Sequence, residues 1–162
     1  MDPSPSPASR FHPDCFACSH FNPTGLHLSC RKRPDGTMAG EIVLDARFEG
    51  YPGTAHGGIV ATLLDSAMAQ CLFAEGRRAV TGDLQVRFRQ PVHLGVPIGV
   101  QAWIVESSPP LFRLQAELRQ GSRTVAVGRG VFVDPEDPLV PEAPVDPGHE
   151  LDDNSSGKTG RE

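Results

Sequence analysis

One histidine, two glycines and one aspartate form the group of residues in this chain that is best suited to chemistry. His56, Gly57 and Gly58 are consecutive, and Asp65 follows nine residues after the histidine. Residues 48–76 contain no lysine or arginine, so the carboxylate has no counter-charge nearby in the sequence. A carboxylate of this kind can activate water or attack a carbonyl carbon, and N–H groups beside glycines can stabilise an oxyanion. The group could therefore supply a base or nucleophile together with oxyanion donors.

The aspartate lies within a segment that we predict to be a long, buried helix. Ile59–Phe73 contains no proline or glycine, and its polar members are Thr62, Asp65, Ser66 and Gln70. On a helical wheel the apolar side chains cover more than half of the circumference, which is typical of a helix enclosed by protein. A carboxylate on such a helix is costly unless it is paired or hydrogen-bonded. Asp65 therefore requires an explanation.

The spacing along this helix limits how one site could use both the glycines and the aspartate. Gly57 and Asp65 are eight residues apart, which corresponds to roughly 12 Å along a helix axis. An oxyanion donor and a base must both lie within roughly 3 Å of the reacting groups. One helix cannot easily supply both to one carbonyl group, so we predict a site that is completed across a dimer.

The rest of the chain is predicted to be β-structure. Alternating apolar and polar residues, separated by turn-forming residues, indicate strands at residues 25–33, 37–46, 79–92, 98–106, 111–120 and 123–133. Short links between the later strands predict antiparallel pairing. Because the single helix is apolar on nearly all sides, the sheet must curl around it. The predicted class is α+β, with the order β-β-α-β-β-β-β.

Composition predicts one domain between two disordered ends. Residues 1–13 are proline-rich, and residues 134–162 carry nine acids, two bases and five prolines, so both ends are predicted to be disordered and residues 14–133 to fold. The net charge of −5 arises in the tail, because residues 1–133 hold thirteen bases and eleven acids. A core charge of +2 suits a small phosphate-bearing ligand and argues against nucleic acid.

Targeting signals and metal motifs are weak in this sequence. We find no apolar run of membrane-span length and no signal peptide, which predicts a cytoplasmic protein with reduced cysteines and no membrane partner. Cys15 and Cys18 form a C-x-x-C pair that could bind zinc together with His20, His27 and Cys30. A single pair is a weak signal. The prediction is that no metal or cofactor is bound, although a metal at the cysteine pair stays open.

Several segments together resemble the hotdog-fold thioesterases of the phenylacetate-pathway type. They are the Leu26–Leu28 strand, the Pro-Asp-Gly turn at residues 34–36, the FEGYPGTAHGGIVATLLDSAMA segment at 48–69 and VTGDLQVRFRQPV at 80–92. The most specific feature is the His-Gly-Gly triplet followed nine residues later by Asp65. The resemblance implies a sheet wrapped around the helix, subunits paired side by side, frequent tetramers and an acyl-CoA substrate.

The resemblance also implies roles for individual residues. Asp65 is the base or nucleophile, and Gly57 of the other subunit supplies the oxyanion donor, with Gly58 beside it in the substrate site. His56 either binds the thioester, positions the loop, or is a structural histidine that bonds the loop backbone. The chain departs from the pattern at Gly50, where some relatives have an Asn or Gln that holds the thioester or the attacking water.

A second departure lies on the strand that follows the helix. A helper Ser or Thr is expected near residues 81–83, where Asp83 falls in register and Thr81 is predicted on the same strand face, two residues away. Arg87 and Arg89, on the polar face of that strand, are candidate contacts for the phosphates of CoA. All four residues are therefore assigned to substrate binding, with exposed polar positions as the plain alternative.

Four functions remain possible at this point. An acyl-CoA thioesterase is favoured, and a non-catalytic acyl-CoA-binding or regulatory hotdog protein is the main alternative because Gly50 replaces the helper. A hotdog dehydratase would carry its aspartate before a His-Gly, which argues against it here. A zinc-dependent module built on Cys15 and Cys18 is the fourth. The acyl group and the choice between base and nucleophile stay open.

Overall fold

A computed structural model describes residues 11–134 of the protein. The disordered ends predicted at residues 1–13 and 134–162 lie largely outside the described residues. Within the described part, Phe11 stacks on Phe73 with 5.2 Å between ring centroids. The packed part of the chain therefore includes residues 11–13, which the sequence analysis had assigned to a disordered segment.

The described chain contains six strands and one long helix in the predicted order. The elements are β1 (Cys30–Lys32), β2 (Met38–Ile42), α1 (Gly57–Ala74), β3 (Val80–Phe88), β4 (Ile98–Ser108), β5 (Leu111–Gln120) and β6 (Arg123–Val133), with a 3-10 turn at Ala46–Phe48 between β2 and α1. β1 is shorter than predicted because the preceding extended segment pairs with another loop: Leu26 and Leu28 donate to the carbonyls of Phe16 and Ala17.

The strands form one antiparallel sheet that curves around α1. The spatial order is β1-β2-β4-β5-β6-β3, and every neighbouring pair is antiparallel. The helix packs against all six strands. This arrangement confirms the hotdog fold that the sequence predicted. It leaves β3, the strand that follows the helix, at one edge of the sheet.

The helix supplies the centre of the hydrophobic core. Eleven of its eighteen residues are buried, and its mean hydropathy of 1.4 over that length would suffice for a membrane span by length and composition alone. The sequence-based statement that no apolar run reaches membrane-span length is therefore wrong. In this fold the apolar side chains of α1 contact the concave face of the sheet, so the helix is satisfied inside the protein.

Two glycines on β6 allow α1 to approach the sheet closely. A Cβ atom on Gly128 would lie 3.2 Å from Cβ of Leu64. One on Gly130 would lie 2.7 Å from the Phe132 ring and 3.2 Å from the end of Met68. Side chains at these two positions would crowd the helix against the strand, so glycine favours the close packing seen there.

Gln70 is the polar side chain that fastens α1 to the first strand. It is 4% exposed. Its Oε1 accepts from the backbone N–H of Cys30 at 2.9 Å, and its Nε2 donates to the carbonyl of Leu28 at 3.1 Å. The buried amide therefore bonds two backbone groups at the start of β1 and just before it.

We expect Gln70→Leu to destabilise the protein by roughly 2–5 kcal/mol, because it strands a buried N–H and a buried carbonyl without partners. Urea unfolding followed by circular dichroism measures the change. The matched control is Thr62→Val, since Thr62 on the same helix donates only to the Gly58 carbonyl one turn earlier. That variant should lose no more than about 1 kcal/mol. Equal losses in the two variants would contradict the role assigned to Gln70.

Candidate functional site

The helix begins at the glycine pair because His56 caps it. His56 has an extended backbone (φ −61°, ψ 136°), and its Nδ1 accepts from the N–H of Gly58 at 3.0 Å. A ring nitrogen that accepts carries no proton, so the neutral imidazole bears its proton on Nε2. The structural role considered for His56 in the sequence analysis is thus present, and the exposed Nε2–H remains able to donate.

Of the two glycine N–H groups, only that of Gly57 is available to a ligand. The N–H of Gly58 is already bonded to His56, whereas within residues 11–134 the N–H of Gly57 has no intramolecular acceptor. It is the first N–H of an eighteen-residue helix, where the helix dipole favours negative charge. Gly57 is therefore the better placed of the two predicted oxyanion donors.

The loop before the helix is tightly packed at Gly50, the position where some relatives have an Asn or Gln. A Cβ atom on Gly50 would lie 3.0 Å from Cα of His56. The loop is held in place by hydrogen bonds from Gly50 N–H to the Thr54 carbonyl and from His56 N–H to the Phe48 carbonyl. Glycine at position 50 thus permits close contact between two turns of the same loop.

Asp65 is half-buried on the side of α1 that faces the edge strand. Its Oδ1 accepts a hydrogen bond from the hydroxyl of Thr81 on β3 at 2.7 Å. A donated hydroxyl stabilises the carboxylate and fixes its orientation. Among the predicted site residues, Asp65 and Thr81 are therefore brought into direct contact, and the second carboxylate oxygen has no hydrogen-bond partner within the described residues.

The predicted placement of Thr81 and Asp83 on one strand face is wrong. A β-bulge at Gly82 shifts the register between them, so that Thr81 pairs with Phe132 and Asp83 pairs with Val131. Phe132 is fully buried on the inner face, whereas Asp83 lines a groove on the outer face with Arg129. The extra residue of a bulge reverses the alternation of side chains. The acid predicted beside the site lies across the sheet from Asp65.

Arg87 and Arg89 also lie on the outer face of the sheet. Together with Gln85 and Arg129 they line a second groove, which adjoins the one that contains Asp83. The arrangement concentrates positive charge along the end of β3. Arg87 and Arg89 lie close to each other in this groove, on the face of the strand opposite to the Asp65 carboxylate.

The two halves of the predicted site lie at opposite ends of β3. Gly57 lies beside Phe88, since an added Cβ would be 3.6 Å from that ring, and Asp65 lies beside Thr81. The helix thus runs antiparallel to the strand, and six residues of strand lie between the two contacts. Within one chain, Gly57 and Asp65 do not meet at one carbonyl group.

His12 is a residue near the site that the sequence analysis missed. Its ring packs edge-on against Phe73 with 4.6 Å between centroids. Burial lowers the pKa of His12 below its usual value, while the negative charge of Asp65 opposes the shift. The residue lies in a segment assigned to disorder, and the only signal in the sequence was its position just before the C-x-x-C pair.

The cysteine pair has a different companion from those predicted. Within residues 11–134, the ligand atoms of His12, Cys15 and Cys18 lie within 4.8 Å of one another. His20 and His27 instead pair with each other, with ring centroids 5.9 Å apart, and the His27 ring donates to a backbone carbonyl. Neither of these histidines belongs to the cluster.

The chain is similar in sequence and in fold to known thioesterases. Residues 52–127 match the sequence profile described as the thioesterase superfamily, a segment that contains the His-Gly-Gly triplet, α1, β3 and β4. A mutant of the phenylacetic acid degradation protein PaaI from Thermus thermophilus has a similar structure, with a TM-score of 0.60 and 26% sequence identity. That similarity covers 67% of this chain and 93% of PaaI.

Two curated relatives are acyl-coenzyme A thioesterases. The rat protein THEM4 is 28% identical over 95 residues, which make up 56% of this chain and 41% of THEM4. Human acyl-coenzyme A thioesterase 13 is 28% identical over 98 residues, covering 58% of this chain and 70% of the relative. The chain therefore spans less than half the length of rat THEM4.

Proposed function

We propose that this chain, a hotdog-fold protein whose residues 52–127 match the thioesterase superfamily, is an acyl-CoA thioesterase that releases a free acid and CoA. The observation that carries the proposal is the Asp65 carboxylate, oriented by Thr81 at 2.7 Å on a helix whose first N–H, that of Gly57, is free. The names of the curated relatives support the same substrate class.

The chemistry that we assign to Asp65 is general-base catalysis. One carboxylate oxygen accepts from Thr81, which leaves the other to take a proton from water. The resulting hydroxide attacks the thioester carbonyl, and the oxyanion is stabilised by the N–H of Gly57. When the tetrahedral intermediate collapses, the C–S bond breaks, and the proton held by Asp65 passes to the departing thiolate of CoA. Nucleophilic attack by Asp65 itself is the alternative route.

The exposed edge strand supports a dimer as the active form. Most of β3 is exposed, including Val80 and Phe88 at 52% and 55%, and a long open edge invites pairing with another strand. Pairing two copies of β3 antiparallel about a two-fold axis brings Thr81 of one copy towards Phe88 of the other. Asp65 and Gly57 of different subunits then face one reaction centre, as the spacing on the helix predicts. Such dimers could pair further into a tetramer.

The arginines on the outer face of the sheet are candidates for binding the phosphates of CoA. CoA carries phosphates at the end remote from the thioester, and Arg87, Arg89 and Arg129 lie across the edge of the sheet from Asp65. We propose that the nucleotide end of CoA follows the edge of β3 to this groove, where guanidinium groups bind phosphate well. We therefore still propose that Arg87 and Arg89 bind substrate, as the sequence predicts, through the phosphates of CoA and at a distance from Asp65.

A panel of aliphatic and aromatic acyl-CoA thioesters tests the proposed function. We expect purified protein to release CoA thiol, detected with a chromogenic disulfide reagent, from at least one of these classes at a rate proportional to enzyme concentration. The control is the same protein with N-acetylcysteamine thioesters, which lack the nucleotide and should react with a higher KM. If no thioester of the panel is hydrolysed, the proposed thioesterase activity is refuted.

A non-catalytic acyl-CoA-binding protein is the second candidate, and it is favoured by the glycine at position 50 in place of a helper residue. Isothermal titration with the same thioesters separates the two functions. Tight binding of an acyl-CoA without thiol release would select the binding protein. Turnover would select the enzyme, whatever the affinity.

A further inference from the structure

A cluster of potential metal ligands lies outside the proposed thioesterase site. The ligand atoms of His12, Cys15 and Cys18 lie within 4.8 Å of one another, and Nδ1 of His12 is 3.9 Å from Sγ of Cys18. Three side chains that are all strong ligands for soft divalent cations therefore converge on one point. The proposed hydrolysis of acyl-CoA uses none of the three.

We propose that His12, Cys15 and Cys18 bind one divalent thiophilic cation, Zn²⁺ by its ligand chemistry. Thiolate and imidazole are the ligands that zinc prefers in proteins, and they discriminate against Mg²⁺ and Ca²⁺. Bond lengths of about 2.3 Å to sulfur and about 2.0 Å to nitrogen separate ligand atoms in a tetrahedral site by roughly 3.5–3.8 Å. The spacing of the cluster requires only a small contraction to reach these values.

The backbone around the cysteine pair holds the sulfurs in place without help from an ion. The N–H of Ala17 donates to Sγ of Cys15 at 3.3 Å, which fixes the position of this sulfur atom. The neighbouring carbonyls of Phe16 and Ala17 accept from Leu26 and Leu28 at 2.8 and 2.9 Å. The C-x-x-C turn is thereby tied to a buried extended segment of the core.

The third ligand connects the site to the central helix. His12 packs edge-on against Phe73 of α1, and Phe11 stacks on the same ring. An ion held by His12 and the two cysteines would therefore fasten the N-terminal segment onto α1. Three protein ligands leave the fourth position to water. The role inferred for the ion is to hold this segment in place.

Cobalt titration of the whole chain tests the site independently of any enzyme activity. The protein is purified under reducing conditions without a polyhistidine tag, stripped with a chelator and titrated with Co²⁺ in the absence of oxygen. We expect one equivalent of Co²⁺ to produce the visible bands of a tetrahedral ion and a thiolate charge-transfer band, and Zn²⁺ to displace both. Zn²⁺ should also raise the Tm, because it binds the folded chain. A chain that gives neither band would overturn the proposal.

Matched variants identify the ligands. Cys15→Ser and Cys18→Ser should remove the thiolate band, and His12→Gln should weaken Co²⁺ binding by more than the roughly 10–100-fold that loss of an outer-shell partner costs. Cys71→Ala, a buried cysteine on α1, and His20→Gln, an exposed histidine, should leave the spectrum unchanged. A thiolate band that survives in both Cys→Ser variants would contradict the assignment.

A footprint on the unmodified protein keeps the test decisive if a variant fails to fold. Cysteine alkylation is followed by mass spectrometry with and without Zn²⁺. We expect Zn²⁺ to slow alkylation of Cys15, the half-exposed cysteine of the cluster, by at least about tenfold, because a metal-bound thiolate is withdrawn from reaction. Equal alkylation rates with and without Zn²⁺ would refute the site. Failure of the chain to bind Co²⁺ after any Cys15–Cys18 disulfide has been reduced would also refute it.

Discussion

Replacing Asp65 by asparagine is expected to lower kcat for acyl-CoA hydrolysis by about 10²–10⁴-fold, the range that loss of a positioned general base costs. Asparagine has the same shape and keeps an oxygen for the 2.7 Å hydrogen bond from Thr81. The fold should therefore persist while the group that accepts the proton from water is lost. Steady-state rates of thiol release, together with a circular dichroism spectrum, measure the two effects separately.

The matched control for this change is Asp83→Asn. Asp83 is a carboxylate on the strand that contacts Asp65, but the bulge at Gly82 turns it to the outer face. Its replacement should leave kcat close to that of the wild type. If Asp83→Asn reduced kcat as strongly as Asp65→Asn, the assignment of the base would be wrong, and the register predicted from the sequence would describe the site better.

A proline at position 57 is expected to reduce kcat by about 10²–10³-fold, the cost of removing one oxyanion donor. Proline has no N–H, and it is well tolerated at the first position of a helix, where the N–H has no partner within the helix. The residue before a proline must be extended, and His56 already is, at φ −61° and ψ 136°. The change thus removes the donor of Gly57 while α1 is preserved.

Alanine at the same position is the control. It keeps the N–H, and its Cβ would lie 3.6 Å from the Phe88 ring, an ordinary contact distance. Gly57→Ala should retain most of the wild-type kcat. A loss as large as that of Gly57→Pro would show that added volume, and not the missing N–H, reduces the rate, and would exclude Gly57 as the donor.

Mixed dimers test whether one site draws on two subunits. When Asp65→Asn and Gly57→Pro chains are co-expressed, each mixed dimer contains one site with both changes and one site with neither. Random pairing should then restore about a quarter of the wild-type activity, since the two sites of a two-fold dimer are equivalent. If both groups came from one chain, every site would carry a change, and activity would stay at the level of the single variants.

Local patterns in the sequence were sufficient for the fold, and they singled out Asp65, the central residue of the proposed site. An almost entirely apolar helix has to be enclosed by protein. Strands joined by short links have to pair antiparallel. Both conclusions follow from local sequence without knowledge of the strand order. The same patterns identified Asp65 as an acid that needs a partner. The number of residues between Gly57 and Asp65 on the helix also predicted that the two groups of one chain lie far apart.

Three features of the site depended on tertiary structure. The bulge at Gly82 adds one residue to β3, and the resulting reversal of sides cannot be read from a regular alternation. His56 uses one nitrogen to cap the helix, which decides that Gly57 and not Gly58 has the free N–H. His12 reaches Cys15 and Cys18 because Phe11 and His12 pack on Phe73, which lies sixty-two residues from Phe11 in the chain.

The sequence by itself determined the helix, the sheet that surrounds it and the carboxylate at its middle, because these follow from periodicities within single segments. The tertiary structure decided which neighbour each functional group has: Thr81 for Asp65, the histidine ring for Gly58, and His12 for the cysteine pair. The first contact joins two separate elements of the fold, and the other two are short-range contacts whose geometry is set by the local backbone and the packing around it. They depend on register and packing, where a shift of one residue moves a side chain to the opposite face of a sheet.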